Sequence, residues 1–513
     1  MSVTELIKST MNHLQNQHIL ILGLGASGLA MARWCVRCGA QVTVADTRSA
    51  PPQLATLERE LPTVCFVGGD FDANLVQGVS AVFRSPGLRP ADITTVSVAA
   101  KASCICVAGE LALFSEALLQ LKASRGYVPK VLAVTGTNGK TTVTTLTGKL
   151  VAQAGKSVAV AGNIGPTMLD VLSQQLDAND LPKVWVLELS SFQLEDATGF
   201  EPSAATVLNV TQDHLDWHDS MAAYCQAKSH VFGKKGLMVL NREDPLVMAM
   251  LPAPVRVKLQ QPQQRDFITF GSDMPQRPGD FGLEKSGGIT WLVRAHPSEI
   301  TPKPRKGELP ELHINRLMPT DDLRISCHHN VINALAALAL ATSAGCALGQ
   351  MLHGLRLYRG EPHRVQPVGV ICGIEFFDDS KGTNVGATVA ALTGLGVDRK
   401  VVVILGGEGK GQDFSPLAEP IKRLARAVVL MGRDAHLIRS ALADVQVPLL
   451  HADSMEEAVL QANARAQTGD AVLMSPACAS FDMFDNYEHR ARVFVQCVQS
   501  LAALAGTSLE GGL

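Results

Sequence analysis

The stretch VLAVTGTNGKTTVTTLTGKL, residues 131–150, sharply limits what a chain containing it can fold into. An apolar run suited to a buried strand passes through Gly136, Thr137, Asn138, Gly139, Lys140, Thr141 and Thr142 straight into a helix-forming segment. A glycine turn between strand and helix leaves backbone N–H groups free to cradle a phosphate. Lys140 adds an ammonium that can offset charge on the β- and γ-phosphates, and Thr141 adds a hydroxyl for Mg²⁺. Val134 stands where the common eight-residue loop has its first glycine, so the pattern is a variant of that loop. The segment predicts an α/β domain that binds ATP.

A second glycine turn precedes it. In HILILGLGASGLAMARWCVRCG, the spacing Gly23-x-Gly25-x-x-Gly28 follows a strand and opens a helix, and Asp46 ends the next strand. This is the dinucleotide fingerprint, in which glycines allow a phosphate to approach helix N–H groups closely. Alone it points to an NAD-dependent oxidoreductase. The same backbone also holds other diphosphates, because it reads the pyrophosphate and not the nicotinamide. With an ATP loop downstream, the first turn is expected to hold a second nucleotide-like molecule.

At 513 residues the chain exceeds one hydrophobic core, and about two to four domains are expected. A formal net charge of -3 excludes a nucleic-acid partner held by bulk attraction. The N-terminal MSVTELIKSTMNHLQNQ lacks a positive flank followed by an apolar core and is not expected to be a secretory signal. The longest apolar run, VINALAALALA, is too short to span a bilayer and reads as a buried helix, so the protein is not expected to be membrane-embedded. The 11 cysteines show no paired metal spacing; Cys35 and Cys38 form a C-x-x-C within a helix and read as core residues. That usage suits a reducing, cytoplasmic compartment.

Strand-like runs alternate with helical segments from residue 18 to about 109, again from KVLAVTG onward, and again in IEFFDDS, VVVILGG, RAVVLMG and AVLMSPA. Three α/β domains are expected: a Rossmann-like domain over 1–109, a central P-loop ATPase-type α/β domain over 110–360, and a C-terminal Rossmann-like α/β domain over 361–513. The polar, proline-rich texture from about 257 to 322 predicts short antiparallel strands and loops decorating the central domain.

The compact GTNGKTT loop resembles the Mur ligase family, which builds the peptide stem of bacterial peptidoglycan. VLELSSFQLE, LNVTQDHLD, HRV at 363–365, DDSKGTNVGAT, GGEGKGQDFSPL and SPACASFDMFDNYEHR are similar to the member that adds D-glutamate. These pieces run from Gly23 to about Arg490. The D-N-P-R signature of the relative that adds diaminopimelate or lysine is absent from the sequence. A folylpolyglutamate synthetase of the same fold is the alternative within the fold, and an NAD-dependent dehydrogenase with an ATPase domain the alternative outside it.

The resemblance implies UDP-N-acetylmuramoyl-L-alanine and D-glutamate as substrates of a monomer using ATP and Mg²⁺ at two sites. It places the UDP end against Gly25, Ala26, Ser27, Asp46, Thr47, Arg48, Ser85 and Gly87, with Asn163 and Ser190 reaching the same substrate. It gives the ATP phosphates to residues 136–142, and the rest of ATP to His329, Asn330, Asn333, His363, Arg364, Asp379 and Lys381, some of them supplied on domain closure. Cys327 replaces a usual glycine and Glu361 an apolar residue. Metal ligands implied are Thr141, Glu188, His214 and Lys228. The context of Lys228 is a plain amphipathic helix that would leave it on the surface; the resemblance instead implies a carbamylated lysine beside the second Mg²⁺. D-glutamate would meet Thr383, Lys410, Ser480, Phe481 and Tyr487, the last a phenylalanine elsewhere in the family.

Overall fold

Ile19, Leu20, Ile21 and Leu22 are wholly buried, as expected of a parallel strand covered on both faces by crossover helices. In the computed structural model, which describes residues 14–255, 263–298, 311–325 and 328–506, this strand, His18–Leu22, centres a five-stranded sheet. The order is Cys65–Gly68, Gln41–Asp46, His18–Leu22, Ala81–Arg84, Cys106–Ala108, all parallel. Chain direction across the sheet reverses at His18–Leu22, so the crevice for a ligand opens at its carboxyl end, where Gly23 begins.

The second sheet has nine strands. Its parallel part runs Phe267–Phe270, Leu237–Asn241, Ala204–Val207, Lys130–Thr135, Val184–Glu188, Val158–Gly162. Beyond Phe267–Phe270 come Phe281–Ser286, its antiparallel hairpin partner Ile289–Pro297, and Leu312–Pro319. The antiparallel decoration expected from the polar texture is therefore an extension of the main sheet. Residues 257–262 and 299–310 of that stretch, and Cys327, lie outside the described residues. Lys130–Thr135 sits between two strands and delivers the phosphate loop from the sheet's interior. Glu188 is in register with Val134 on one side and Gly162 on the other, which brings a strand-end carboxylate level with the start of that loop.

Ion pairs tie these two layers together, two between helices, Arg33 to Asp170 at 3.1 Å and Arg37 to Asp177 at 2.7 Å, and one from the strand end Arg84 to Asp196 at 2.6 Å. The first two are partly solvated and worth about 1 kcal/mol or less each. Arg84 is only 2% exposed, so removing its partner would strand a buried charge. Cys35 and Cys38 are buried, and burial raises both thiols, Cys38 to about 12. They pack as core residues.

The third sheet is six-stranded: Gln366–Ile371, antiparallel to Ile374–Asp378, then Ala471–Met474, Val401–Gly406, Ala425–Met431 and Leu449–His451, all parallel. Apolar clusters cover both faces, one around Leu405, Leu430 and Leu473, the other around Ile404, Val429 and Phe494. The described chain divides into two compact units. One comprises residues up to 209, 222–318 and 334–355, and holds the first two sheets. The other comprises 210–221, 319–333 and 356 onward, and holds the third. Ala334–Ala341, in the helix His328–Ser343, is fully buried. Among the described residues, no helix is long and apolar enough to cross a membrane.

Candidate active site

The phosphate loop is built as its sequence predicts. Gly139, at φ +84, precedes the helix Lys140–Gln153, whose first residues are Lys140, Thr141 and Thr142, the two threonines buried. The Lys140 ammonium donates to the Gly136 and Thr137 carbonyls at 2.9 Å each. Two residues not singled out in the sequence hold the loop. Asn209 accepts from the Thr137 and Asn138 N–H groups through its carbonyl and side-chain oxygens, at 2.9 and 2.8 Å, and donates back to the Asn138 carbonyl. The Tyr224 hydroxyl lies 3.2 Å from that of Thr137. Asn209 sits inside the LNVTQDHLD motif, but nothing in the spacing says which of those residues turns back to the loop.

Glu188 is 1% exposed. Its Oε1 accepts from the Asn163 side-chain amide at 3.0 Å, its backbone carbonyl accepts from the Asn163 N–H at 2.8 Å, and its Oε2 is buried without a hydrogen-bond partner. Lys228, on the helix Met221–Ser229, is also 1% exposed, which overturns the surface position its helix pattern suggests. Its ammonium donates to the Gly136 carbonyl at 2.9 Å and lies 4.4 Å from the centre of the Tyr224 ring. Lys140 and Lys228 thus converge on one carbonyl oxygen. Ser190 caps the short helix Ser191–Glu195 through a reciprocal pair with Gln193, so its hydroxyl already has structural work.

In the first sheet, Gly28 is obligatory: a Cβ there would lie 2.0 Å from the Gly23 carbonyl oxygen. Ser85 is buried over Gly23. The Asp46 carboxylate accepts from the Leu24 N–H at 2.7 Å and from the Arg48 backbone and guanidinium. Burial opposes its charge, but these donors, Arg48 foremost, hold its carboxyl at about 2. Gly25, Asp46, Arg48 and Ser85 therefore form one rim, with Ala26, Thr47 and Gly87 exposed and Ser27 partly exposed in the helix turn that follows.

In the second unit, His363 adopts φ +61 and its Nδ1 lies 2.6 Å from Asp378 Oδ2. Its ring meets Tyr487 edge-on at 6.1 Å, and the Lys381 ammonium lies 3.6 Å above the Tyr487 ring. Tyr487 is thus a packing platform for two candidate ATP contacts, although sequence reasoning gave it to D-glutamate. Asp379 accepts from the Val365 N–H and from the Ser475 hydroxyl at 2.6 Å; burial pushes its carboxyl up to about 7. Thr383 follows on the same loop, its N–H on the Lys381 carbonyl. Lys410, at φ +51, is exposed and lies 5.9 Å from the ring of Phe481, itself 65% exposed, while Ser480 is buried. Asp378 and the wholly buried Arg490, which donates to the Ser380 and Cys478 carbonyls, were missed although both stand inside quoted motifs. His214 adopts φ +53, and its neighbour Asp213 accepts from the Asn384 side chain at 3.3 Å. Asn330 and Asn333 join side chains at 3.3 Å, and burial lowers His329 to about 4, with Arg364 of this unit a minor contributor.

Family profiles match in chain order: Mur ligase MurD-like, N-terminal domain over residues 17–108; Mur ligase middle domain over 134–341; and Mur ligase, glutamate ligase domain over 363–478. The chain is 71% identical to the UDP-N-acetylmuramoylalanine--D-glutamate ligase of Albidiferax ferrireducens, over 98% of this chain and 99% of that one. It is 54% identical to the ligase of the same name from Ralstonia nicotianae, over 97% and 99%. Among solved structures it is similar in fold to the MurF ligase of Thermotoga maritima in complex with ADP, with a TM-score of 0.56 at 14% identity over 96% and 97% of the two chains. It also resembles the UDP-N-acetylmuramate-alanine ligase MurC of the same organism, with a TM-score of 0.53 at 21% identity over 95% and 100%.

Proposed function

The chain belongs to the Mur ligase family, and from that premise we propose how its residues divide the work of one ligation. It is an ATP-dependent ligase that adds D-glutamate to UDP-N-acetylmuramoyl-L-alanine, a step in peptidoglycan precursor synthesis. The observation that carries this is near-full-length identity to D-glutamate ligases, with all three family domains in order. Its working compartment is the cytoplasm, where ATP and the nucleotide precursor are both present.

A carboxylate and an amine do not condense spontaneously in water, so the carboxylate is first activated. An oxygen of the L-alanine carboxylate attacks the γ-phosphorus of ATP, the bond to the bridging oxygen breaks, and ADP leaves with an acyl phosphate formed. The amine of D-glutamate then attacks the acyl carbon, loses a proton, and expels phosphate as the carbon–oxygen bond breaks. No protein nucleophile is needed; placing anions together is the main task. Lys140 and the loop N–H groups other than those of Thr137 and Asn138, which Asn209 occupies, hold the ATP phosphates. Asn163 fixes Glu188, and Ser27 with the rim of Arg48 and Ser85 holds the UDP end. In the unit that holds the third sheet, Lys410 pairs with a carboxylate of D-glutamate, and Asn330, Asn333, His363, Arg364, Asp379 and Lys381 are that unit's own candidate ATP contacts.

The residues present fit Mg²⁺: Glu188 Oε2 is a buried hard-oxygen donor without a partner, and the Thr141 hydroxyl stands at the loop's helix start. These two would hold one ion, and Lys228 as a carbamate would serve a second; bound Mg²⁺ would supply charge neutralisation to the phosphates. What supports the carbamate is electrostatic. Two ammonium groups sharing the Gly136 carbonyl are at most about 6 Å apart and repel by roughly 3 kcal/mol at an effective dielectric near 20. Carbamylation of Lys228 reverses that sign and offers two oxygens.

The test is phosphate release with UDP-N-acetylmuramoyl-L-alanine and a panel of D-Glu, L-Glu, L-Lys and diaminopimelate. Release with D-Glu alone is expected. Release with L-Lys or diaminopimelate and not with D-Glu would overturn the reading.

A further inference from the structure

At the junction of the first two sheets stands a carboxyl that no step above uses. Glu110 opens the helix Glu110–Arg125 and is 2% exposed. Its Oε1 accepts a 3.1 Å hydrogen bond from the Leu169 N–H, while Oε2 is buried without a hydrogen-bond partner. The Ser27 hydroxyl and the Met168 backbone also act on this carboxyl. Ser27 lies in the first turn of the helix Ala26–Arg37 that follows the Gly23 turn. Leu169 lies in the first turn of Met168–Asp177, just after the segment that carries Asn163. That segment is closed by the Gly162 N–H on the Pro166 carbonyl at 2.9 Å, and Asn163 passes the connection to Glu188. One side chain therefore joins the start of the diphosphate helix to the support of the reaction centre.

We propose that Glu110 is a positioning residue that works as the neutral acid, tying Ser27 to the Asn163 segment, so that binding of the substrate's diphosphate is coupled to proton uptake at Glu110. The inference rests on the reading that the first glycine turn takes the UDP end. As the acid, Oε2 carries the proton that its dry, unpartnered position lacks, and can donate it to the Ser27 oxygen. The Ser27 hydrogen is then free for a phosphate oxygen. As the carboxylate, the same group would face an incoming diphosphate with like charge across a buried gap.

Burial pushes Glu110 up to about 7 despite the donors around it, and the charge of Asp170 adds to the shift. The charged groups nearby do not neutralise it. Asp170 is bound by Arg33 and by the Thr167 hydroxyl, and Arg33 is shared with Glu60. Arg84 is bound to Asp196, whose carboxylate lies beside Gly109. A bound diphosphate raises the pKa of Glu110 further. By linkage its affinity falls as pH rises through the free-state value, by as much as tenfold per unit.

The experiment is calorimetric titration of UDP-N-acetylmuramoyl-L-alanine into the full-length protein at pH 6, 7 and 8, in buffers of differing ionisation enthalpy. The diphosphate diester does not titrate in this range, so proton uptake reports the protein. Uptake approaching one proton at pH 8, with affinity falling several-fold from pH 6, is expected for the parent. In Glu110→Gln, which keeps the acceptor for Leu169 but cannot ionise, the Glu110 share of the uptake should vanish and the affinity should flatten. Glu110→Ala should raise KM for the sugar nucleotide at every pH while leaving KM for ATP unchanged. Binding without uptake in the parent, or equal uptake in Glu110→Gln, overturns the role of Glu110 alone. Failure of the parent to bind the sugar nucleotide at any pH overturns the substrate reading beneath it.

Discussion

Gly162 and Gly165 lie three residues apart in the same turn, both at positive φ, and alanine at each should give very different enzymes. At Gly162, φ is +125 and a Cβ would lie 2.1 Å from the Glu188 carbonyl oxygen, with the Glu188 carbonyl carbon and nitrogen at 3.1 and 3.2 Å. An ordinary carbon–oxygen contact is about 3.3 Å or more, so Gly162→Ala must move backbone by about 1 Å. Forbidden φ costs roughly 1–3 kcal/mol and overpacking roughly 1–3 kcal/mol, so a loss of about 2–6 kcal/mol is expected. The displaced atoms are the backbone of Glu188 and its 2.8 Å bond from the Asn163 N–H. A shift of about 1 Å at a positioned group costs on the order of 10²-fold in rate. At Gly165, φ is +78 and nothing lies within 4 Å, so alanine there carries only the left-handed penalty of about 1–2 kcal/mol. The assay pairs thermal unfolding with D-glutamate-dependent phosphate release at saturating substrates. If the two variants retain equal turnover, the Gly162–Glu188 contact does not set the geometry of the site.

Lys140→Ala should lower turnover by orders of magnitude, far more than the modest drop in thermal midpoint from its two lost loop hydrogen bonds, because it removes a phosphate cation; near-normal saturated turnover would remove Lys140 from the mechanism. Lys228→Ala should lose most activity and regain part of it with small added carboxylates, and labelled bicarbonate should give a ¹³C carbamate signal in the parent that the variant lacks. Asp379, raised by burial from 3.8 to about 7, binds its proton more tightly folded than unfolded. Its contribution to stability is therefore full below about pH 4 and lost as pH rises to about 7, by up to roughly 4 kcal/mol. Asp379→Asn should flatten that limb in denaturant titrations at pH 4, 6 and 8. Asp196→Ala leaves the buried Arg84 guanidinium without its carboxylate and should cost about 3–5 kcal/mol, read as a lower midpoint in urea.

The sheet-forming alternation and both glycine turns were legible because each needs a local pattern: buried runs of Val, Ile and Leu, and glycines where a side chain would strike the chain. Gly28 against the Gly23 carbonyl is such a case. Side chains that close the sites across long sequence gaps were not legible. Asn209 meets the phosphate loop some 71 positions away, and Glu110 meets Leu169 across 59; no spacing encodes either. Lys228 is a different case: helical context alone would place it outward and only the resemblance drew it in, while the structure packs that helix so that the ammonium turns inward to Gly136. Tyr487, given by the resemblance to the amino acid, has a further role that no spacing shows: its ring carries His363 and Lys381, which depends on how two loops of the third sheet meet.

The strand that delivers the phosphate loop occupies the interior of its sheet, paired with Val184–Glu188 and Ala204–Val207. On a translating ribosome this fixes an order of assembly. The five-stranded sheet can close once residue 108 has emerged, whereas Lys130–Thr135 waits for its second neighbour until residue 207 has followed. At about 5–20 residues per second, the stretch from residue 135 to residue 207 takes on the order of 4–14 s. For that time, the nascent chain carries an apolar strand and its glycine turn with at least one edge unpaired. The segment most diagnostic of the finished enzyme is therefore also the one most in need of protection while the protein is being made.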